Sequence, residues 1–139
     1  MLAGALVAIQ APVNAALARG LGMPVAAAAV SFLVGTVALV LVTGLMAQGQ
    51  DAALQWRAPA LWLFVLGGLL GAAFVTCNII LAPKLGAAAL MAFLVAGQLL
   101  AGLVLDRIGF LGLAVREITM GRVAGALMLL AGALLIRFT

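Results

Sequence analysis

The chain alternates long apolar stretches with short polar ones, at intervals that match membrane thickness. About 20 residues of helix cross a hydrocarbon core of roughly 30 Å. Five stretches approach that length: about 2–19, 25–47, 60–81, 87–105 and 121–137. Apolar side chains would cover every face of helices wound through them, which is the pattern of helices in lipid. Between them, Gly20-Leu21-Gly22-Met23-Pro24 predicts a tight turn, with proline in the first turn of the next helix. Gln48-Gly49-Gln50-Asp51 opens the most polar loop, and Ala82-Pro83-Lys84-Leu85-Gly86 predicts another turn. In 108–120, Phe110, Leu111, Leu113, Val115 and Ile118 mix with Arg116 and Glu117, so a loop or short helix lying in the interface is expected. Thr119 is placed to cap the last helix. A transmembrane β-barrel would alternate apolar and polar residues, and these runs do not. The reading is a single all-α transmembrane domain over 1–139.

Composition agrees. Hydrophobic residues make up 68% and charged residues only 7% of the 139, with a mean hydropathy of +1.42. A soluble domain carries about 25% charged residues, so this chain could not cover a water-facing surface. Its net charge of +4 comes from seven basic residues spread over all the loops. Such residues are interfacial anchors and topology signals, and without a basic cluster no nucleic-acid partner is expected. There is one cysteine, Cys77, and no histidine. Neither an internal disulfide, a metal centre, a cofactor nor an enzyme's nucleophile–base pair is expected. The amino terminus lacks the basic stretch of a signal peptide, so it is read as a retained first span.

The polar exceptions inside the spans carry the functional argument. Gln10 and Asn14 are four apart and share a helix face. Pro12 between them has no N–H for the carbonyl of Ala8, which predicts a kink. In lipid those amides need partners, so they face protein or a watery cavity. Two readings fit: glue between helices, or the lining of a substrate path. Gln98 lies near the middle of the fourth span and Asn78 towards the end of the third. Ser31, Thr36 and Thr43 can bond back to their own helix and are read as structural. Gly67 and Gly71, and Gly121 and Gly125, have the spacing that lets helices approach closely. Trp56, Arg57 and Trp62 form an interfacial belt.

The chain also echoes itself. Asn14–Gly22 and Asn78–Gly86 both read N-x-x-L-A-x-x-L-G, and Phe32-Leu33-Val34-Gly35 is echoed at Phe93–Gly97. If spans one and two correspond to spans three and four, Asn14 and Asn78 are a structural pair.

Five spans place Arg57, Arg107, Arg116 and Arg122 on one side and Arg19, Lys84 and Arg137 on the other, 4 against 3. Orientation follows the imbalance of these residues, which is nearly absent. The chain is therefore expected to insert both ways. Two opposed copies would build a ten-helix antiparallel dimer, the arrangement that transporters reach with inverted repeats around a midplane site.

The segment A-I-Q-A-P-V-N-A-x-L at Ala8–Leu17 resembles the YdcZ-type family of the drug/metabolite transporter superfamily. So do S-F-x-x-G at Ser31–Gly35, G-G-L-L-G-A at Gly67–Ala72, A-G-Q-L-L at Ala96–Leu100 and the acidic turn Leu105–Gly109. The resemblance implies a five-helix bacterial inner-membrane protein, paired with itself or with an oppositely oriented homologue.

The function expected is small-molecule transport, by an exporter or facilitator. Its midplane path would be lined by Gln10, Asn14 and Gln98, with Asn78 a weaker candidate. The alternative is a dual-topology ion channel, with Phe32 and Phe93 near the depth of Gln98. No acid lies within a span, which argues against antiport of cations by a buried carboxylate. Asp106 ends the fourth span and is expected to pair with Arg107 or another basic group.

Overall fold

A computed structural model describes residues 2–49 and 59–138, which form five α-helices and one short 3-10 turn. The helices are α1 (Leu2–Leu21), α2 (Pro24–Gly49), α3 (Leu61–Leu85), α4 (Ala87–Ile108) and α5 (Met120–Phe138). All five are long and apolar enough to cross a membrane. In lipid every backbone N–H and C=O must be satisfied within the chain, and these sequences, rich in the strong helix formers Ala and Leu, do so as helices. Residues 50–58 lie outside the described residues, and with them the expected anchors Trp56 and Arg57. Trp62, at the second position of α3, is exposed.

Contacts divide the chain into two units, Met1–Ile80 and Leu81–Thr139. In the first, α1 packs on α2. Its core is Ala18, Ala27, Ala28, Val75 and Ile79, flanked by Leu17 and Phe74. The alanines let backbones approach closely, the means by which helices associate where lipid removes the hydrophobic drive. The rest of α2 presents exposed Leu33, Val34, Val37, Leu41 and Leu45, a surface suited to acyl chains. In the second unit α4 packs on α5.

Two expectations change. The third span does not stop at Leu81: α3 continues through Pro83 to Leu85, and the turn contracts to Gly86, at φ 81°. Pro83 has no N–H for the carbonyl of Ile79, so the helix gives up that one bond and still runs on for two residues to Leu85. Likewise α1 runs as one helix through Pro12.

The second change is at the end of the fourth span, and the loop expected over 108–120 follows it. Here α4 extends to Ile108 and closes on left-handed Gly109, whose N–H donates to the carbonyl of Leu105. A 3-10 turn, Phe110–Gly112, and an irregular strap lead to α5. Leu111, Leu113, Val115 and Ile118 are exposed along it. Thr119 caps α5, its Oγ1 accepting from the N–H of Arg122 at 3.4 Å.

Asp106 pairs with Arg122, sixteen residues on, and not with adjacent Arg107. The same arginine donates to the carbonyl of Glu117 at 3.3 Å, and the N–H of Arg116 donates to the carbonyl of Asp106 at 2.9 Å. One acid thus ties the end of α4 to both the strap and the start of α5.

Candidate functional site

In α1 the buried residues are Ala11, Asn14, Ala15 and Ala18. This is one stripe at i, i+3, i+4 and i+7, which carries Asn14 inward among alanines. On α3 the buried set Val75, Asn78, Ile79 and Ala82 repeats that spacing, each residue 64 positions after its counterpart. Asn14 and Asn78 also lie seven positions before the last residues of their helices, Leu21 and Leu85. Each of those helices is followed by a glycine at positive φ, Gly22 at 72° and Gly86 at 81°. The N-x-x-L-A-x-x-L-G motif therefore has one structural meaning in both places: a buried amide two turns before a glycine that breaks the helix.

The two asparagines are each only 5% exposed. With Gln10, Val7, Ala11, Val75 and Ile79 they line a single crevice in the Met1–Ile80 unit, one too narrow for a water molecule. Inside it, Asn78 Oδ1 is buried with no hydrogen-bond partner among the described residues. A buried, unmet acceptor costs about 1–3 kcal/mol, so its persistence needs a reason.

Beside the crevice an open groove of about 220 Å³ is lined by Gln10, Ser31, Phe32, Gly35, Thr36, Leu39 and Val75. Gln10 and Val75 border both spaces. Among the described residues, no charged one lines either. Gln10 is itself exposed, and its unbranched side chain is free to change rotamer.

Of the residues the sequence singles out for the substrate path, Gln10, Asn14 and Asn78 share this crevice, and the α2 wall of the groove is not among them. Ser31, Phe32, Gly35, Thr36 and Leu39 fall at i, i+1, i+4, i+5 and i+8, one helical face. The S-F-x-x-G signal was visible, but the hydroxyls were assigned to their own helix. Gln98 is exposed near the middle of α4, in the other unit.

The glycine pairs serve unequally. A Cβ on Gly71 would lie 3.3 Å from Cζ of Phe32, so the ring rests on that glycine, while Gly67 faces open space. No described atom approaches the corresponding positions on Gly121 or Gly125.

Residues 1–135 match the family described as "Putative inner membrane exporter, YdcZ". The chain belongs to this family. The inner membrane protein YdcZ of Escherichia coli (strain K12) is 40% identical over 75 residues, which cover 54% of this chain and 50% of that protein. The match thus spans about half the length of that curated relative. No solved structure matches the chain. With five helices able to span a membrane and membership of a family of the inner membrane, this is a multi-pass protein of the bacterial inner membrane. Exporters are not an enzyme class.

Proposed function

We propose that the chain exports or equilibrates a small molecule by alternating access, as an antiparallel pair of ten helices. The partner is a second copy in the opposite orientation or an oppositely oriented homologue. The observation that carries this reading is the meeting of Gln10, Asn14 and Asn78 beside an open, uncharged groove in the Met1–Ile80 unit.

Distances along the helices support a midplane site. At 1.5 Å per residue, Gln10 lies about 16 Å from the end of α1 at Leu21, close to half of a roughly 30 Å core. Asn14 and Asn78 lie about 10 Å from their helix ends. Amides both donate and accept, and so can hold a polar group in one state and exchange it for water in another. In an antiparallel pair each amide occurs twice, related by an axis in the membrane plane, which is the symmetry on which alternating access operates. Gln98, exposed and central on α4, belongs to the same path in this reading.

The test is flux in proteoliposomes across a panel of labelled small solutes. Gln10→Leu and Gln98→Leu should each reduce saturable flux at least tenfold with normal expression, and intact uptake and affinity in both would sink the proposal. The pairing is tested separately, with reporters on the carboxyl terminus that work only inside or only outside the cell. Signal from both sides supports one chain inserting both ways. Signal from one side alone directs the search to an oppositely oriented homologue.

A further inference from the structure

We infer that the Met1–Ile80 unit binds a neutral small molecule with a hydrogen-bond donor on an apolar body, and that Asn78 Oδ1 is the acceptor. The inference deepens the transport reading and rests on it for the purpose of the site.

The acceptor comes first. Asn78 Oδ1 is buried without a partner among the described residues, and its crevice is too narrow for a water molecule. Water therefore does not satisfy it in this state. A ligand donor would supply the missing hydrogen bond without first displacing a bound water, which makes the site selective for donors.

The apolar body comes from the groove. Phe32, Leu39 and Val75 give it aromatic and aliphatic walls, with Ser31 and Thr36 along one side. At about 30 Å³ per water, 220 Å³ equals roughly seven waters, so the occupant is a small solute. Gln10 and Val75 stand between groove and crevice. For a donor in the groove to reach Asn78, Gln10, which borders both spaces, must change rotamer and so open the crevice.

Neutrality follows from what the walls lack. Among the described residues no carboxylate lines either space to stabilise a cation, and no Arg or Lys to stabilise an anion. A charge taken from water into such surroundings is strongly disfavoured, and the unmet lone pairs of the buried amide oxygen repel an anion further.

The test is saturation-transfer NMR on the full chain in detergent micelles, with empty micelles as the blank. Four probes of similar size are compared: benzyl alcohol, its methyl ether, benzyltrimethylammonium and benzoate. Benzyl alcohol should bind saturably and about tenfold more tightly than the ether, a ratio worth about 1.4 kcal/mol. In Asn78→Leu that ratio should fall to about one, while the ether's own affinity changes little. Equal binding of alcohol and ether to the unaltered chain overturns the inference without recourse to any variant. So does a preference for the ammonium or carboxylate probe, or no saturable binding by any of the four. Donor selectivity without flux dependent on Gln10 or Gln98 would leave the inference standing and remove the transport reading. Flux without donor selectivity would do the reverse.

Discussion

Replacing Asn78 by leucine should leave the fold about as stable as before, which is unusual for a residue 5% exposed. The two side chains have the same branched skeleton of heavy atoms, but leucine has no acceptor to strand. Removing an unmet buried carbonyl returns about 1–3 kcal/mol. Crowding by the bulkier methyl groups opposes this, since overpacking costs about 1–3 kcal/mol in a tight site. The two terms are of equal size, so the expected net change lies within about 2 kcal/mol of zero. It can be read from equilibrium unfolding in mixed micelles titrated with sodium dodecyl sulfate and followed by circular dichroism. Ile79→Ala is the control: Ile79 is 2% exposed on the same seam, and truncation there should cost about 2–5 kcal/mol. A loss above about 2 kcal/mol in Asn78→Leu would refute the reasoning, because it would mean the carbonyl has a partner whose loss is felt.

Other changes have distinct signatures. Gly71→Ala pushes on Phe32 at 3.3 Å, so the groove narrows and flux should fall several-fold with stability within about 1 kcal/mol. Gly67→Ala, facing open space, should change neither. Asp106→Ala strands Arg122 and loosens the strap before α5. Both side chains are part-exposed, so a loss of about 1 kcal/mol is expected, and a double-mutant cycle with Arg122→Leu should recover at least 0.5 kcal/mol of coupling. Gly109→Ala combines a left-handed φ of 63° with a Cβ 2.8 Å from Cγ2 of Val115, and should cost about 2 kcal/mol or more in the same unfolding assay.

The five helices were legible because uninterrupted apolar length is a strong signal, needing only the thickness of a bilayer to decode it. Their ends were less so. Pro83 reads as a terminator, but losing one N–H does not by itself end a helix, and α3 runs on until Gly86. Gln10 and Asn14 were visible as polar residues out of place, whereas the wall of Ser31, Gly35 and Thr36 was not. Small residues and hydroxyls belong naturally in a membrane helix, and only the partner helices reveal which face becomes a groove. The pairing of Asp106 with Arg122 and not Arg107 was hidden for a similar reason. Adjacent residues on a helix point about 100° apart, and the loop that brings Arg122 back had no periodic pattern to follow.

The matching stripes on α1 and α3 carry one further consequence. Each contributes its carboxamide to the lining of one crevice. Two identical amides so placed can satisfy each other, each giving an N–H and taking one. Kept apart, as Asn78 Oδ1 shows they are here, they leave a donor and an acceptor to be answered from elsewhere. The difference is about two hydrogen bonds, or roughly 1–3 kcal/mol. A gap of that size keeps a minor conformation populated at the per cent level and lets a modest ligand reverse the preference. In that light the asparagine pair is a balance, set by two copies of one short sequence, between a chain that closes on itself and one that closes on its cargo.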